Sequence, residues 1–351
     1  MSAEQRTVLV LYNQIEKDEY EALRQIDPAS LDFTPHYTIH VATIQEEYDA
    51  IVNALRREGF DANGVNLKDD LAKLHALLTR NPPDVVFNLV EFFHNDLNHE
   101  SAIASFYDLF RVRYTGASAF CLSLCRRKGL TKQVLLQSGM ATPHFRILKE
   151  PSMDRSHGLR YPLIIKPSRQ DGSTGVDANS VVYDYTHLRR QLENVYARFG
   201  APLLVEEFIQ GKELHVSVLG NNPPVVLPVL EYDFSELHED HPPLITYDMK
   251  WNPLAAAYHR VHARCPAEID IKTEMLVKEQ ALAAYSATYC RDYARLDLRL
   301  GSDGVPYILE VNPNPDLTEG VSIMQSAEKA GLGFSETLHR IVSFALDRGI
   351  E

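Results

Sequence analysis

Arginine, aspartate, glutamate and asparagine occupy alternate positions in Arg295-Leu-Asp297-Leu-Arg299 and again in Glu310-Val-Asn312. Between them lies Ser302-Asp303-Gly304, and alternation on both sides of an Asp-Gly pair is a strong hairpin signal. With Asp303 and Gly304 in the turn, Asp297 stands opposite Glu310 and Arg295 opposite Asn312. Leu296, Leu298 and Leu300 then meet Val311, Leu309 and Tyr307. Opposed residues share a face, so one face is apolar and the other gathers Arg, Asp, Glu and Asn. Two opposed carboxylates repel unless a cation neutralises them, and an all-oxygen cluster suits Mg²⁺ better than zinc. Asp297, Glu310 and Asn312 are therefore candidate metal ligands on rigid strands, with Arg295 beside them.

These strands need a scaffold, and 351 residues suffice for two or three domains. Val8–Leu11 and Pro83–Leu89 are short apolar runs, separated by helical patterns at Glu46–Arg57 and Leu67–Leu78. That alternation predicts an α/β unit with a parallel sheet, ending near Tyr114-Thr-Gly116. Leu122–Gly139 reads as one helix closed by Gly139. Pro162–Lys166, Ser180–Tyr183 and Leu203–Glu206 read as strands, and Tyr185–Phe199 as a helix. Beyond Leu214 come a strand, an irregular Pro-rich stretch (Pro223–Pro253), a helix at Ile271–Tyr289, the hairpin, and a helix near Ser335–Asp347. A long irregular stretch inside a compact unit is more often a lid or a substrate wall than a linker. The expected units are 1–117, 118–212 and 213–351.

The net charge of −13 argues against nucleic-acid binding and against attachment to acidic membranes. The short polar stretch before Val8 is too brief for a signal peptide, and no apolar run reaches transmembrane length. A cytoplasmic location follows as the expectation. Cys121, Cys125, Cys265 and Cys290 have no Cys-x-x-Cys spacing and read as reduced structural thiols. The pairs His36/His40, His238/His241 and His259/His262 lack third ligands and read as ordinary histidines. Glu236, Glu239 and Asp240 read as solvated loop charge.

Lys166 ends a strand and precedes Gly172-Ser173-Thr174-Gly175, where exposed backbone N–H groups could cradle phosphate. A plain turn has the same composition, so this segment alone leaves both readings open. Glu206-Glu207-Phe208-Ile209 ends a strand in two acids and an apolar pair. That pattern suits a nucleotide hinge, but taken alone this segment reads better as a solvated strand end.

Order and spacing carry more. The chain contains Tyr114-Thr-Gly116, Lys128-x₃-Lys132, Gly139-x₃-Pro143, Lys166-Pro-x₃-Asp-x-Ser173-x-Gly175, Glu206-Glu-x₃-Gly211-x-Glu213, Cys265-Pro-Ala, Tyr293-Ala-Arg295-x-Asp297 and Glu310-Val-Asn312-Pro. This ordered set resembles the ATP-grasp superfamily, and within it the D-alanine–D-alanine ligase family, from about residue 85 to about residue 335. The resemblance implies an α/β chain, α+β in its ATP-binding part. An N-terminal parallel-sheet domain would precede a small central lid domain and a C-terminal mixed-sheet domain. It implies that Lys128 and Lys166 contact ATP phosphates and that Gly172, Ser173 and Thr174 close over them. Glu206, Glu207, Phe208 and Ile209 would line the adenine and ribose pocket, with Glu213 on the ribose. Asp297, Glu310 and Asn312 would hold two Mg²⁺ ions, or Mn²⁺ in their stead, with Glu310 bridging. Arg295 would stabilise charge on the transferring phosphoryl group, and Lys250 would reach the γ-phosphate from a lid. A homodimer is the assembly it suggests.

The implied activity is ATP-dependent ligation of an acid and an amine, both small molecules, through an acylphosphate. Two alternatives remain open: phosphoryl transfer that stops at a stable product, and a non-catalytic ATP-binding regulator. The chain departs from the family on its substrate side. The Gly-Gly-x-Ser loop is replaced by Leu11-Tyr-Asn-Gln-Ile-Glu16, where Glu16 and Glu19 read as solvated acids at a helix start, with the ammonium-binding acid as the alternative role. The loop that normally carries His-Gly reads Glu91-Phe-Phe-His94-Asn-Asp-Leu-Asn-His99. There Glu91 is a candidate ammonium ligand, and both histidines read as structural. Ser-Pro-Gly-Met becomes Asn314-Pro-Asp316-Leu317, setting an acid near the expected carboxylate subsite. D-Alanyl-D-alanine is therefore not the expected product; another amino acid, a dipeptide or an amine-bearing metabolite is.

Overall fold

The computed structural model of the chain describes residues 5–15, 19–24, 31, 33, 42–238 and 240–348. Glu16, His36, His40 and Glu239 lie outside the described residues, as does the side chain of Glu19. Near the N-terminus, β1 (Thr7–Tyr12) runs parallel between β2 (Asp61–Asn66) and β3 (Val85–Leu89). β1 is apolar on both faces because helices cover both. Val8 and Val10 share a core with Ile51 and Leu55 of helix Ile44–Arg57 and with Leu338 of helix Phe334–Asp347. Leu11 faces the other way, into a core with Leu74 and Leu78. β2 was invisible to the alternation rule, since Asp-Ala-Asn-Gly-Val-Asn carries few apolar residues.

The small sheet is antiparallel, in the order β4 (Phe145–Leu148), β7 (Leu203–Glu207), β5 (Leu163–Pro167), β6 (Val181–Val182). Helix Tyr185–Phe199 covers it, capped by the Asp184 side chain and ended by Gly200 at φ +69°. Its core (Leu163, Ile165, Leu188, Leu192, Leu203, Val205) is its own. The large sheet runs β11 (His262–Arg264), β10 (Leu230–Asp233), β8 (Gly211–Leu219), β12 (Tyr293–Gly301), β13 (Pro306–Asn312), with β9 (Val225–Val226) beside β8. Its apolar face (Leu214, Val216, Leu296, Leu298, Val311) merges with the core below the first sheet. Among the described residues no helix is long and apolar enough to cross a membrane.

Three expectations need correction. The hairpin keeps the expected pairs Arg295–Asn312, Leu296–Val311 and Asp297–Glu310, then slips by one residue. A bulge after Asp297 pairs Leu298 with Ile308 and Leu300 with Pro306, freeing Leu309 to face the polar side. The helix expected over Leu122–Gly139 is two helices, Ala119–Cys125 and Lys128–Gln137, broken at Arg127 (φ −95°, ψ 77°). Both pack in the core of the large sheet, through Cys121, Leu122 and Leu135. The stretch 223–253 contains β9, β10 and a short helix at Tyr247–Trp251. Its prolines fall between these elements rather than within them, which hid them from a composition reading.

Candidate active site

The polar faces of β8, β12 and β13 form one surface. Cross-strand register sets Ser217, His215 and Glu213 beside Arg295, Asp297 and Arg299, and β13 adds Asn312 and Glu310. Arg295 grips Asp297 with two parallel hydrogen bonds of 2.7 and 2.9 Å. Lys128, from the start of its helix, pairs with Glu310 and lies 3.1 Å from Asp171. Asn312 donates to both carboxylates, at 3.2 and 3.3 Å. Burial alone would raise both carboxyls. Arg295 instead holds Asp297 below the usual range, and Lys128 and Lys166 hold Glu310 well below it. Both are therefore ionised, as metal ligands must be. A half-turn of the Asn312 amide presents its Oδ1 beside them, completing an all-oxygen donor set that fits Mg²⁺.

Between the small sheet and this surface lies a cavity open to solvent, with about 780 Å³ of empty space. Lys128, Lys166, Ser173, Thr174, Glu206, Glu207, Phe208, Ile209 and Glu213 all line it. So does Leu309, which only the bulge directs there. An apolar wall joins Phe208 and Leu244, with Ile164 and Val176 packed against them. The carboxylates have specific partners. Glu206, fully buried, sits 2.5 Å from Lys132 and 2.6 Å from Lys166. Burial pushes Lys132 down to about 8. Glu207 accepts from the backbone N–H and guanidinium of Arg160. Glu213 accepts from Arg299 at 2.9 Å.

Sequence reasoning missed Arg299, whose side chain is 2% exposed. It donates to the Ile209 and Pro243 carbonyls and stacks its guanidinium 4.5 Å from the Phe208 ring. It thus ties hinge, strand and loop into one cavity wall. Lys132, His215 and Asp171 were also missed as site members. Extending the period-two alternation from β12 into Glu213-Leu-His215-Val-Ser217 would have found His215. Its Nε2 is 3.5 Å from Asp297 and its Nδ1 3.1 Å from the Ser322 hydroxyl. Burial pushes it down to about 3, so it stands neutral.

A second cavity, about 750 Å³, adjoins the first across the hairpin and Asp171. Glu91, Arg126, Gly172, Lys250, Trp251, Arg295, Asn312, Asn314 and Asp316 line it. Gly172 thus faces this cavity, whereas Ser173 and Thr174 face the first. Arg126 pairs with Glu100 and Asp171. Asp316 accepts from the Thr318 backbone and hydroxyl at 2.8 and 3.1 Å. Tyr293 donates to Asn314, and a Cβ on Gly116 (φ +85°) would come within 2.5 Å of that amide oxygen. Protein atoms strip solvent from the Glu91 carboxyl and Asp316 adds negative charge, which pushes it up to about 7 although it still opens to the cavity. The Gly172 loop is latched over both cavities: Trp251 Nε1 donates to the Gly172 carbonyl at 2.8 Å. Lys250 lies over the Trp251 ring, 5.2 Å from its centre.

The other histidines named from the sequence, among the described residues, have close polar neighbours. His94 sits 3.5 Å from Asp69, and His99 Nδ1 lies 2.7 Å from the Phe93 carbonyl. His238 lies 3.2 Å from Asp240, His262 3.2 Å from Glu236, and His259 Nε2 2.8 Å from the Pro253 carbonyl.

Solved structures share this architecture. A D-alanine–D-alanine ligase from Bacillus anthracis complexed with ATP superposes with a TM-score of 0.71 at 18% identity, covering 98% of each chain. The VanG D-Ala:D-Ser ligase from Enterococcus faecalis gives 0.70 at 18% identity, covering 97% of this chain and all of the other. These likenesses show the fold that the chain shares with them. In sequence, a D-alanine–D-alanine ligase from Xanthomonas axonopodis pv. citri is 30% identical over 84% of this chain and 88% of its own. An uncharacterized protein, y4sG, from Sinorhizobium fredii is 32% identical over 85% and 86%. The family model described as D-ala D-ala ligase C-terminus matches residues 134–343. The chain belongs to the D-alanine–D-alanine ligase family.

Proposed function

We propose that the chain joins a carboxylic acid to an amine at the expense of ATP, through an acylphosphate. The observation that carries this is the pair of cavities meeting across one hairpin, with Asp297 and Glu310 toward the first and Arg295 and Asn312 toward the second. ATP occupies the first cavity, its base against Phe208, Leu244 and Leu309 and its phosphates toward Lys128, Lys166, Ser173 and Thr174. Asp297, Glu310 and Asn312 would hold the Mg²⁺ that accompanies ATP, and the same donors would accept Mn²⁺. The metal ions supply neutralisation of phosphate charge. In this reading residues 1–117 are the N-terminal α/β unit, 118–212 the central lid and 213–351 the metal-binding and catalytic unit.

The chain's own residues then position and neutralise, which is most of what phosphoryl transfer requires. Arg295 presents its guanidinium to charge that develops on the transferred group and on the tetrahedral intermediate. Lys250 approaches the γ-phosphate from the Trp251 latch, with Ser173 on the opposite loop. The substrate carboxylate takes the γ-phosphoryl group, the amine attacks the acyl carbon, and phosphate leaves. Water exclusion falls to the Gly172 loop.

The substrates are other than two D-alanines. Asp316 stands in the second cavity near the expected carboxylate subsite, which disfavours a simple D-alanine there, and Glu91 in the same lining suits an amine-bearing partner. Asn314 orients it through its amide. The test is Mg²⁺-dependent phosphate release from ATP across pairs of amino acids, dipeptides and amines, D-alanine included, with mass detection. The proposal expects release that requires two substrates and a product one water lighter than their sum. Phosphate release from an acid alone, with a stable phosphorylated product, would establish phosphoryl transfer instead.

A further inference from the structure

Outside these cavities three thiols converge. Cys121 and Cys125 lie four residues apart on helix Ala119–Cys125, hence on one face. Cys290 reaches them from the turn before β12, where Tyr289 and Asp292 adopt left-handed backbone at φ +59° and +63°. The three sulfur atoms lie within 4.8 Å of one another, and Cys121 and Cys290 are 3.8 Å apart. The Thr288 hydroxyl lies 3.3 Å from the Cys290 sulfur. Cys265 takes no part and sits 3.7 Å from the Pro228 carbonyl.

We propose that Cys121, Cys125 and Cys290 form a binding site for one thiophilic d¹⁰ cation, Zn²⁺ or Cd²⁺, distinct from the Mg²⁺ site. A tetrahedral ion with metal–sulfur bonds of about 2.3 Å requires sulfur–sulfur distances of about 3.8 Å, the Cys121–Cys290 separation. Small side-chain rotations bring the third sulfur in. The fourth position faces the Thr288 hydroxyl or a water. Loading forms three metal–sulfur bonds and breaks three S–H bonds, the protons passing to solvent. Entry is available because Cys125 and Leu122 line the second cavity. Because Arg126 follows Cys125 directly, an ion here pins the Arg126 end of that helix to the turn that starts β12.

The experiment is a Cd²⁺ titration of the full chain under a non-thiol reductant, read by the ultraviolet thiolate-to-metal charge-transfer band. Saturation is expected at one Cd²⁺ per chain. Cys121→Ser, Cys125→Ser and Cys290→Ser should each weaken binding by about 100-fold or more, the upper end of what losing even an outer-shell partner costs. Cys265→Ser should leave it unchanged. Affinity within about threefold of wild type in the three variants, or no band in the wild type, overturns the site. If a variant does not fold, the wild type decides by alkylation with peptide mapping: Zn²⁺ should protect these three thiols and not Cys265. Equal alkylation with and without Zn²⁺ overturns it too.

Discussion

Replacing Glu206 with glutamine tests how the first cavity is held together. Its carboxylate is 1% exposed and contacts Lys132 at 2.5 Å and Lys166 at 2.6 Å. Removing one member of a buried ion pair costs about 3–5 kcal/mol, because the surviving charge stays desolvated; here two lysines survive. Unfolding entropy of about 2.1 cal/mol/K per residue gives roughly 0.7 kcal/mol per kelvin for 351 residues. The melting midpoint should therefore fall by about 4–7 °C. The deficit also has a pH signature. Lys132 is already pushed down to about 8 by burial, and loss of the carboxylate lowers it further. A lysine depressed in the folded state has released a proton that the unfolded chain still binds, so stability rises with pH across that interval. The deficit should be largest near pH 7 and shrink toward pH 9. Scanning fluorimetry of both proteins at the two pH values reads this directly. A midpoint within about 1 °C of wild type, or an equal deficit at both pH values, refutes the reasoning.

Three further outcomes follow from the geometry. Glu310→Ala should abolish Mg²⁺-ATP turnover while the chain stays folded, since Lys128 keeps Asp171 at 3.1 Å; undiminished ADP formation would remove Glu310 from the site. Trp251→Ala deletes the 2.8 Å latch on the Gly172 carbonyl. A hydrogen bond worth about 1 kcal/mol predicts an ATP KM raised roughly fivefold, and an unchanged KM would show that the loop closes without it. Glu91, pushed up to about 7 by loss of solvent and by Asp316, must be ionised to hold an ammonium group. kcat/KM for the amine should thus rise with pH through about 7, and Glu91→Gln should flatten that limb; a limb that persists in the variant belongs to another group.

What the sequence disclosed follows from the range of the forces involved. Alternation and turn chemistry are local, so the Arg295–Asn312 and Asp297–Glu310 pairs and the helix Tyr185–Phe199 were legible from the chain alone. The bulge was not, because it depends on the packing of Ile308 and on Leu309 turning to the first cavity. The partners of acids were hidden for the same reason. Lys132, Arg160 and Arg299 reach Glu206, Glu207 and Glu213 across 74, 47 and 86 residues respectively. Cys290 joins Cys121 across 169 residues, and no spacing rule links them. β10 was concealed by the prolines around it, and β2 by its polar composition.

The central claim is that a substrate carboxylate is activated by phosphorylation and then captured by an amine. The most direct test uses the acid identified by product screening, labelled with ¹⁸O in its carboxylate, together with its amine and Mg²⁺-ATP. One ¹⁸O should appear in the released phosphate for each amide formed, because the acylphosphate bridge oxygen leaves with phosphorus. Phosphate that carries no label while amide accumulates would contradict the account.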